Sequence, residues 1–174
     1  MNSPVIFIDI DGPLAYGTWM DGEVEIETFR NKADKIKIPY AWVQEDCDAL
    51  AQIVEKTYAN LVVSSDWKQF YTLRDLRGIF QNYGIHADII DTTSHHNPMR
   101  KMSSPPEWDR ACQIAAWVKT YKPRRWIAID DMPLGYYFKH LRIPQWRHVQ
   151  VDGDFGKAGK LRTKIDECVI RLTK

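Results

Sequence analysis

The chain has 174 residues, of which 44% are hydrophobic and 27% charged, and a net charge of +1. That composition fits a globular protein long enough for a sizeable core. It excludes a disordered or collagenous chain. The near-zero balance excludes binding to nucleic acid or membrane by bulk charge, so any basic surface must be a local patch. Cys47, Cys112 and Cys168 are far apart and odd in number, which excludes a disulfide framework or a Cys-based zinc site and suits a reducing cytosol. No apolar stretch is long enough to span a membrane. The first strand begins so early that it leaves no room for a signal peptide. A cytoplasmic location is the expectation.

In chain order, Val5-Ile6-Phe7-Ile8 is the apolar run that a strand buried on both faces requires. It leads into Asp9-Ile10-Asp11-Gly12-Pro13. Period-2 alternation sends Asp9 and Asp11 to the same side, and Gly12 permits a sharp exit. Two acids at the end of a buried strand are costly unless something uses them. Their oxygen donors suit a hard cation such as Mg²⁺. An EF-hand loop does not fit, because a buried strand precedes the acids.

Thr18 to Ile26 predicts a hairpin around Asp21-Gly22. Lysine-rich Asn31 to Pro39 reads as a loop or a very small cap insertion. Val43, Cys47, Leu50, Val54 and Tyr58 predict a helix over 43–58. Asn60 to Ser65 is a second buried strand ending in hydroxyls, with Asp66-Trp67-Lys68 after it. Leu73, Leu76, Phe80 and Tyr83 form a helical stripe stopped by Gly84. Ala87 to Ile90 is a short third strand. Thr92 to Pro106 is a polar loop containing His95, His96, Arg100 and Lys101. Adjacent histidines do not converge well on one ion, so this pair is not read as a metal site.

Glu107 to Tyr121 predicts a helix with Trp108, Cys112, Ala115 and Val118 inward, closed by Lys122-Pro123. Arg125 to Asp131 is a fourth strand ending in Asp130 and Asp131. Met132 to Trp146 reads as an aromatic connection, His148 to Asp152 as a fifth strand, and Leu161 to Leu172 as the last helical stripe. Alternating strands and helices predict an α/β fold with a doubly wound parallel sheet. One domain is expected over residues 1–174, with an insertion at about 15–42 that a family resemblance carried by the strand-end motifs implies to be a flap and minimal cap.

The string Val5 to Leu14 resembles motif I of the haloacid dehalogenase (HAD) superfamily, hhhhDxDGx. Ser64, a basic residue opening a helix, and Asp130/Asp131 follow in the order of motifs II, III and IV. Leu61-Val62-Val63-Ser64-Ser65-Asp66-Trp67-Lys68 is similar to an hhhSSxW[RK] version of motif II. Trp126-Ile127-Ala128-Ile129-Asp130-Asp131 follows an Ile114-to-Trp117 stretch. Together they resemble the small HAD domains of Swiss-army-knife RNA repair proteins and of stand-alone bacterial and phage proteins.

The resemblance implies roles. Asp9 would be the nucleophile, forming an aspartyl-phosphate, and a Mg²⁺ ligand. Asp11 would be the general acid and later activate water, its backbone carbonyl also on the metal. Asp131 matches the usual motif IV ligand, with Asp130 acting directly or through a water. Ser64 would hydrogen-bond a phosphate oxygen, Ser65 being its competitor. Arg110 would supply the motif III cation, with Lys101 as runner-up, neutralising phosphate and holding the acids together. Acids alone repel a phosphate, so this reading requires the metal. Pro13 departs from the family's usual Thr or Val and removes an N–H donor.

The expected activity is Mg²⁺-dependent phosphatase chemistry on a phosphorylated substrate, either a nucleic-acid end or a nucleotide. The alternatives are a sugar-phosphate phosphatase or phosphotransferase, and a catalytically silent domain that binds phosphorylated ligands. Lys101, Arg110, Lys119, Lys122, Arg124 and Arg125 are candidates for a basic rim. Trp19 and Trp67 are candidates for stacking a nucleobase, with core packing as the competing reading.

Overall fold

The computed structural model describes residues 2–16, 24–28, 31–38, 41–93, 104–151 and 160–174. In chain order its elements are β1 (Val5–Ile8), β2 (Ala15–Tyr16), β3 (Val24–Thr28), β4 (Asn31–Ile38), β5 (Ala41–Trp42), α1 (Gln44–Thr57), β6 (Asn60–Val63), α2 (Leu73–Asn82), β7 (Ile89–Thr92), α3 (Pro106–Tyr121), β8 (Trp126–Asp130), α4 (Leu134–His140), β9 (His148–Gln150) and α5 (Ile165–Thr173). Five strands form one parallel sheet in the order β7-β6-β1-β8-β9. Helices cover both faces, so the chain has the doubly wound α/β fold that its alternation predicts.

Every residue of β1 is buried, and its side chains alternate between two cores. Ile6 and Ile8 join Leu50 and Ile53 of α1, Leu76, Ile79 and Phe80 of α2, and Cys168 and Leu172 of α5. Val5 and Phe7 join Ala111, Ile114 and Trp117 of α3 and Leu134 and Phe138 of α4. Phe7 meets Trp117 and Trp126 edge-on, with ring centroids 5.2 and 5.5 Å away. The helix ends follow local chemistry. A reciprocal Thr72–Asp75 capping box starts α2. Lys122 closes α3 in the left-handed region at φ 49°, just before Pro123.

Three elements differ from the expectation. The stretch 31–38 is a strand and not a loop: β4 pairs antiparallel with β3, matching Glu25 with Lys37, Ile26 with Ile36 and Glu27 with Lys35. The register thus sets oppositely charged and apolar residue types at facing positions in alternation. Val24 to Ile26 therefore pairs forward, and the predicted turn at Asp21-Gly22 lies outside the described residues. The connection after β8 contains α4, whose two buried residues, Leu134 and Phe138, stand one helical turn apart. The buried face of α3 is rotated from the predicted one. It comprises Arg110, Ala111, Cys112, Ile114 and Trp117. Trp108 and Ala115 are only half-buried. A charged residue belongs to this face, which a search for apolar residues alone does not select.

Candidate active site

Three neighbouring strands deliver their ends to one place. The Asp9 N–H, just past β1, bonds Ile129 O at 3.0 Å, and the Ser64 N–H, just past β6, bonds Ile8 O at 2.9 Å. β8 ends on Asp130, and Asp131 follows. In a doubly wound sheet this carboxyl edge, beside the first strand, is where ligands bind.

Asp9, Asp130 and Asp131 each offer a carboxylate oxygen within 4.8 Å of the others. Asp9 and Asp130 are 1% and 0% exposed. Arg110, in the first turns of α3, reaches into this cluster. Its Nη1 pairs with Asp9 Oδ2 and lies 3.1 Å from Asp130 Oδ2, while its Nη2 lies 3.9 Å from Asp66. Burial works against the guanidinium's charge, but Asp9 and Asp130 outweigh it and hold the group protonated. The second oxygen of Asp130 accepts the Met132 N–H at 3.0 Å. Burial nevertheless pushes the Asp130 carboxyl well up; Arg110 opposes this, while Asp9 and Asp131 add to it. Asp131 is pushed up to about 6, by burial first and then by Asp9.

Three carboxylates and one guanidinium leave an excess of negative charge under low solvation. An all-oxygen donor set of this kind fits a hard divalent cation such as Mg²⁺. The backbone makes room for Asp131. Gly12 adopts φ +91°, and a Cβ there would stand 2.7 Å from Asp131 Cγ. Only glycine gives both the turn and this close approach.

Asp11 does not join the cluster. Its Oδ1 accepts the Trp67 Nε1–H at 2.9 Å. Burial and Asp9 push its carboxyl up to about 7, with Trp67 and Arg110 pulling the other way. A carboxyl that exchanges its proton near neutrality is suited to acid–base work. Trp67 is 3% exposed, and its ring packs against Trp42 and Tyr71. It is thus unavailable to stack a base, and its contribution is to orient Asp11. Trp19 lies outside the described residues.

The two serines separate by their bonds. Ser65 Oγ accepts the Trp67 N–H, capping the turn that follows β6. Ser64 Oγ is buried and has no hydrogen-bond partner among the described residues. Beside it lies a group that sequence reasoning passed over. Lys68 is 7% exposed, and its Nζ donates to Ser64 O at 3.4 Å and Gln113 Oε1 at 3.0 Å. Thr93 Oγ1 donates to the same Gln113 oxygen at 3.3 Å. Lys68 closes the motif II string, and Gln113 stands three residues after Arg110, on the same side of α3. Those spacings were the available signal. Lys68, Arg110 and Gln113 line a cavity of about 530 Å³, together with Asp66, Gln69, Ser104, Pro106 and Asp109.

Among the described residues the expected basic rim does not form at this site. Arg110 is buried among acids. Lys119 lies in the last turn of α3, and Lys122, Arg124 and Arg125 lie between α3 and β8, where the Val5 N–H bonds Arg125 O. That is the opposite end of the sheet from Asp9, because α3 runs antiparallel to the strands it covers. Lys101, His95 and His96 lie outside the described residues.

A central parallel strand ending in an aspartate, a serine after its neighbour, and an acid pair after the next strand with an arginine between them define the HAD class of α/β domain. The profile of the HAD domain in Swiss Army Knife RNA repair proteins matches residues 5–156, and the chain belongs to that family. No curated protein and no solved structure matches it. Among the described residues no helix is long and apolar enough to cross a membrane.

Proposed function

We propose that the protein is a Mg²⁺-dependent phosphatase that works through an aspartyl-phosphate on Asp9 and acts on the phosphate of a nucleic-acid end or a nucleotide. The observation that carries this reading is the division among the acids. Asp9, Asp130 and Asp131 converge on one point, while Asp11 stands apart on Trp67 with its proton affinity raised to near neutrality.

Asp9 attacks phosphorus, and the bond to the leaving oxygen breaks as Asp11 gives that oxygen its proton. Asp11 then takes a proton from water, which attacks the phosphorus of the aspartyl-phosphate. Phosphate leaves and the Asp9 carboxylate is regenerated. Asp9, Asp130 and Asp131, with the backbone carbonyl of Asp11, would hold Mg²⁺, which neutralises charge on the phosphoryl oxygens when bound. Arg110 holds Asp9 and Asp130 together against their repulsion. Ser64 Oγ, its bonding capacity unspent, donates to a phosphoryl oxygen.

The cavity supports a phosphorylated sugar as the group recognised. Its described lining carries charged, amide and hydroxyl groups and one proline, with no aromatic ring to stack a base. This is equally the observation that favours a sugar-phosphate substrate as the second reading. The description of the family, RNA repair, weighs toward a nucleic-acid end.

The test is phosphate release from p-nitrophenyl phosphate with and without Mg²⁺, in wild type and Asp9→Asn. Release that needs Mg²⁺ and vanishes in the variant establishes the chemistry. A 3′-phosphorylated oligonucleotide, a 5′-phosphorylated one, free nucleotides and ribose 5-phosphate then rank the substrates. A folded protein that hydrolyses none of them in Mg²⁺ sinks the phosphatase reading.

A further inference from the structure

The site contains two buried cations, and their surroundings differ. Arg110 is committed to protein carboxylates: Asp9 and Asp130 take its Nη1, and Asp66 lies near its Nη2. Lys68 is buried to the same degree. Among the described residues both of its hydrogen-bond partners are neutral, the Ser64 carbonyl and the Gln113 side-chain oxygen. An ammonium has three N–H donors, so a third remains after these two bonds. Burial first and then the repulsion of Arg110 lower its proton affinity, against the attraction of Asp66, Asp9 and Asp130. A buried charge held only by neutral acceptors is costly to maintain. It is well placed to meet an anion that enters the cavity it lines with Arg110.

We propose that Lys68 is the substrate-phosphate ligand of this site, so that the cationic work is divided: Arg110 holds the acids and Lys68, beside Ser64, holds the phosphoryl group. The proposal rests on the reading of the Asp9 site as a phosphate site and names the residue that binds the anion there. Gln113 is a positioning residue. Its carboxamide oxygen, shared with Thr93 Oγ1, fixes where the ammonium points without neutralising it. A carboxylate at that position would claim the lysine for itself. Lysine meets phosphate as a point charge with rotatable donors. It can therefore follow the phosphoryl group as it moves between the leaving oxygen and Asp9.

Calorimetric titration of the full chain with inorganic phosphate in Mg²⁺ tests this without requiring turnover. Lys68→Met keeps the aliphatic stem and removes a buried charge, so the fold is expected to hold. Phosphate affinity should fall by at least about tenfold, the loss of one charge-assisted bond. Gln113→Glu should weaken phosphate as well, by occupying the ammonium, whereas a purely structural lysine would be indifferent or better held. Lys68→Arg should keep most of the affinity. Mg²⁺ affinity, titrated alone, should be kept in Lys68→Arg and kept or raised in Lys68→Met and Gln113→Glu, since none is a metal ligand and the last two make the surroundings of Asp9 and Asp130 more negative. In turnover of p-nitrophenyl phosphate, Lys68→Met should raise KM more than it lowers kcat. Phosphate affinity unchanged in Lys68→Met, or absent in wild type, overturns the proposal. If wild type binds phosphate but hydrolyses nothing, the phosphatase reading fails while the assignment of Lys68 is still decided by the titrations.

Discussion

Two buried acidic regions of this protein meet an arginine, with opposite balance. Asp46, in the first turn of α1, is fully buried, and one residue answers it. The Arg162 N–H donates to its Oδ1 at 3.0 Å, and the Arg162 Nη1 lies 3.3 Å from both oxygens. This pair ties the start of α1 to the turn before α5, and no other acid shares it in the described structure. At the carboxyl edge of the sheet, Arg110 faces Asp9 and Asp130 at once, with Asp131 close by. The first arrangement sets one cation against one acid and serves the fold. The second gathers more acids than its arginine can pair, which suits the Mg²⁺ proposed for it.

Removing each arginine tests that difference most severely. Arg110→Met leaves buried carboxylates without a cation and should cost about 3–5 kcal/mol of metal-free stability. Arg162→Met should cost only about 1 kcal/mol, because that side chain is 44% exposed and Asp46 keeps the backbone N–H of residue 162. Urea unfolding of both variants, each with and without Mg²⁺, gives the comparison. Mg²⁺ should recover part of the loss in Arg110→Met and none in Arg162→Met. Equal costs, or equal rescue, would remove the distinction between the two regions.

A smaller effect is expected at Trp67. Replacement by Phe keeps most of the packing against Trp42 and Tyr71 but deletes the Nε1–H bond to Asp11. Asp11 then loses its orientation, and an alkyl phosphate, whose leaving oxygen needs a proton, should be hydrolysed about tenfold more slowly, a fraction of what general acid catalysis supplies. p-Nitrophenyl phosphate has a leaving group that departs unprotonated and should be affected less. Equal slowing of both substrates would mean that Trp67 acts on the site by packing alone.

The comparison also shows what could be read from residues alone. Charge at the end of an apolar strand is conspicuous in a sequence, so Asp9, Asp11, Asp130 and Asp131 stand out, as does the strand order they imply. Arg110 was found through the motif order, since on hydrophobic pattern its burial is an anomaly within α3. Lys68 closes the motif II string, yet nothing in the sequence marks it as enclosed, because a lysine beside a strand end is ordinarily solvated. Only the three-dimensional placement of Gln113 shows that it is enclosed. The partnership of Asp46 with Arg162 joins positions more than a hundred residues apart, and no local pattern marks it. The alternation of Lys35, Ile36, Lys37 and Ile38 was legible as a strand. Its lysine content drew the reading toward a loop.

The gentlest test uses protons in place of mutations. In the metal-free protein, Asp11 is held up to about 7 and Asp131 to about 6, both above their ordinary value near 3.8, and burial is the first cause in each. The folded state therefore keeps protons between about pH 5 and 7.5 that the unfolded chain has already released. These two groups make stability decline as pH rises through that window, since unfolding releases their protons there, against an opposing pull below about pH 6.5 from His148, which burial holds down to about 4. A thermal melt should fall by a few degrees between those limits without metal. With Mg²⁺ in excess the decline should flatten, because the cation takes the place of protons among the carboxylates. Asp131→Asn should remove part of the metal-free slope and weaken the response to Mg²⁺. Arg162→Met, away from the carboxyl edge, should leave the response to Mg²⁺ unchanged. A metal-free melt that is flat or rises with pH would show that the acids at the edge of the sheet are already balanced by the protein itself.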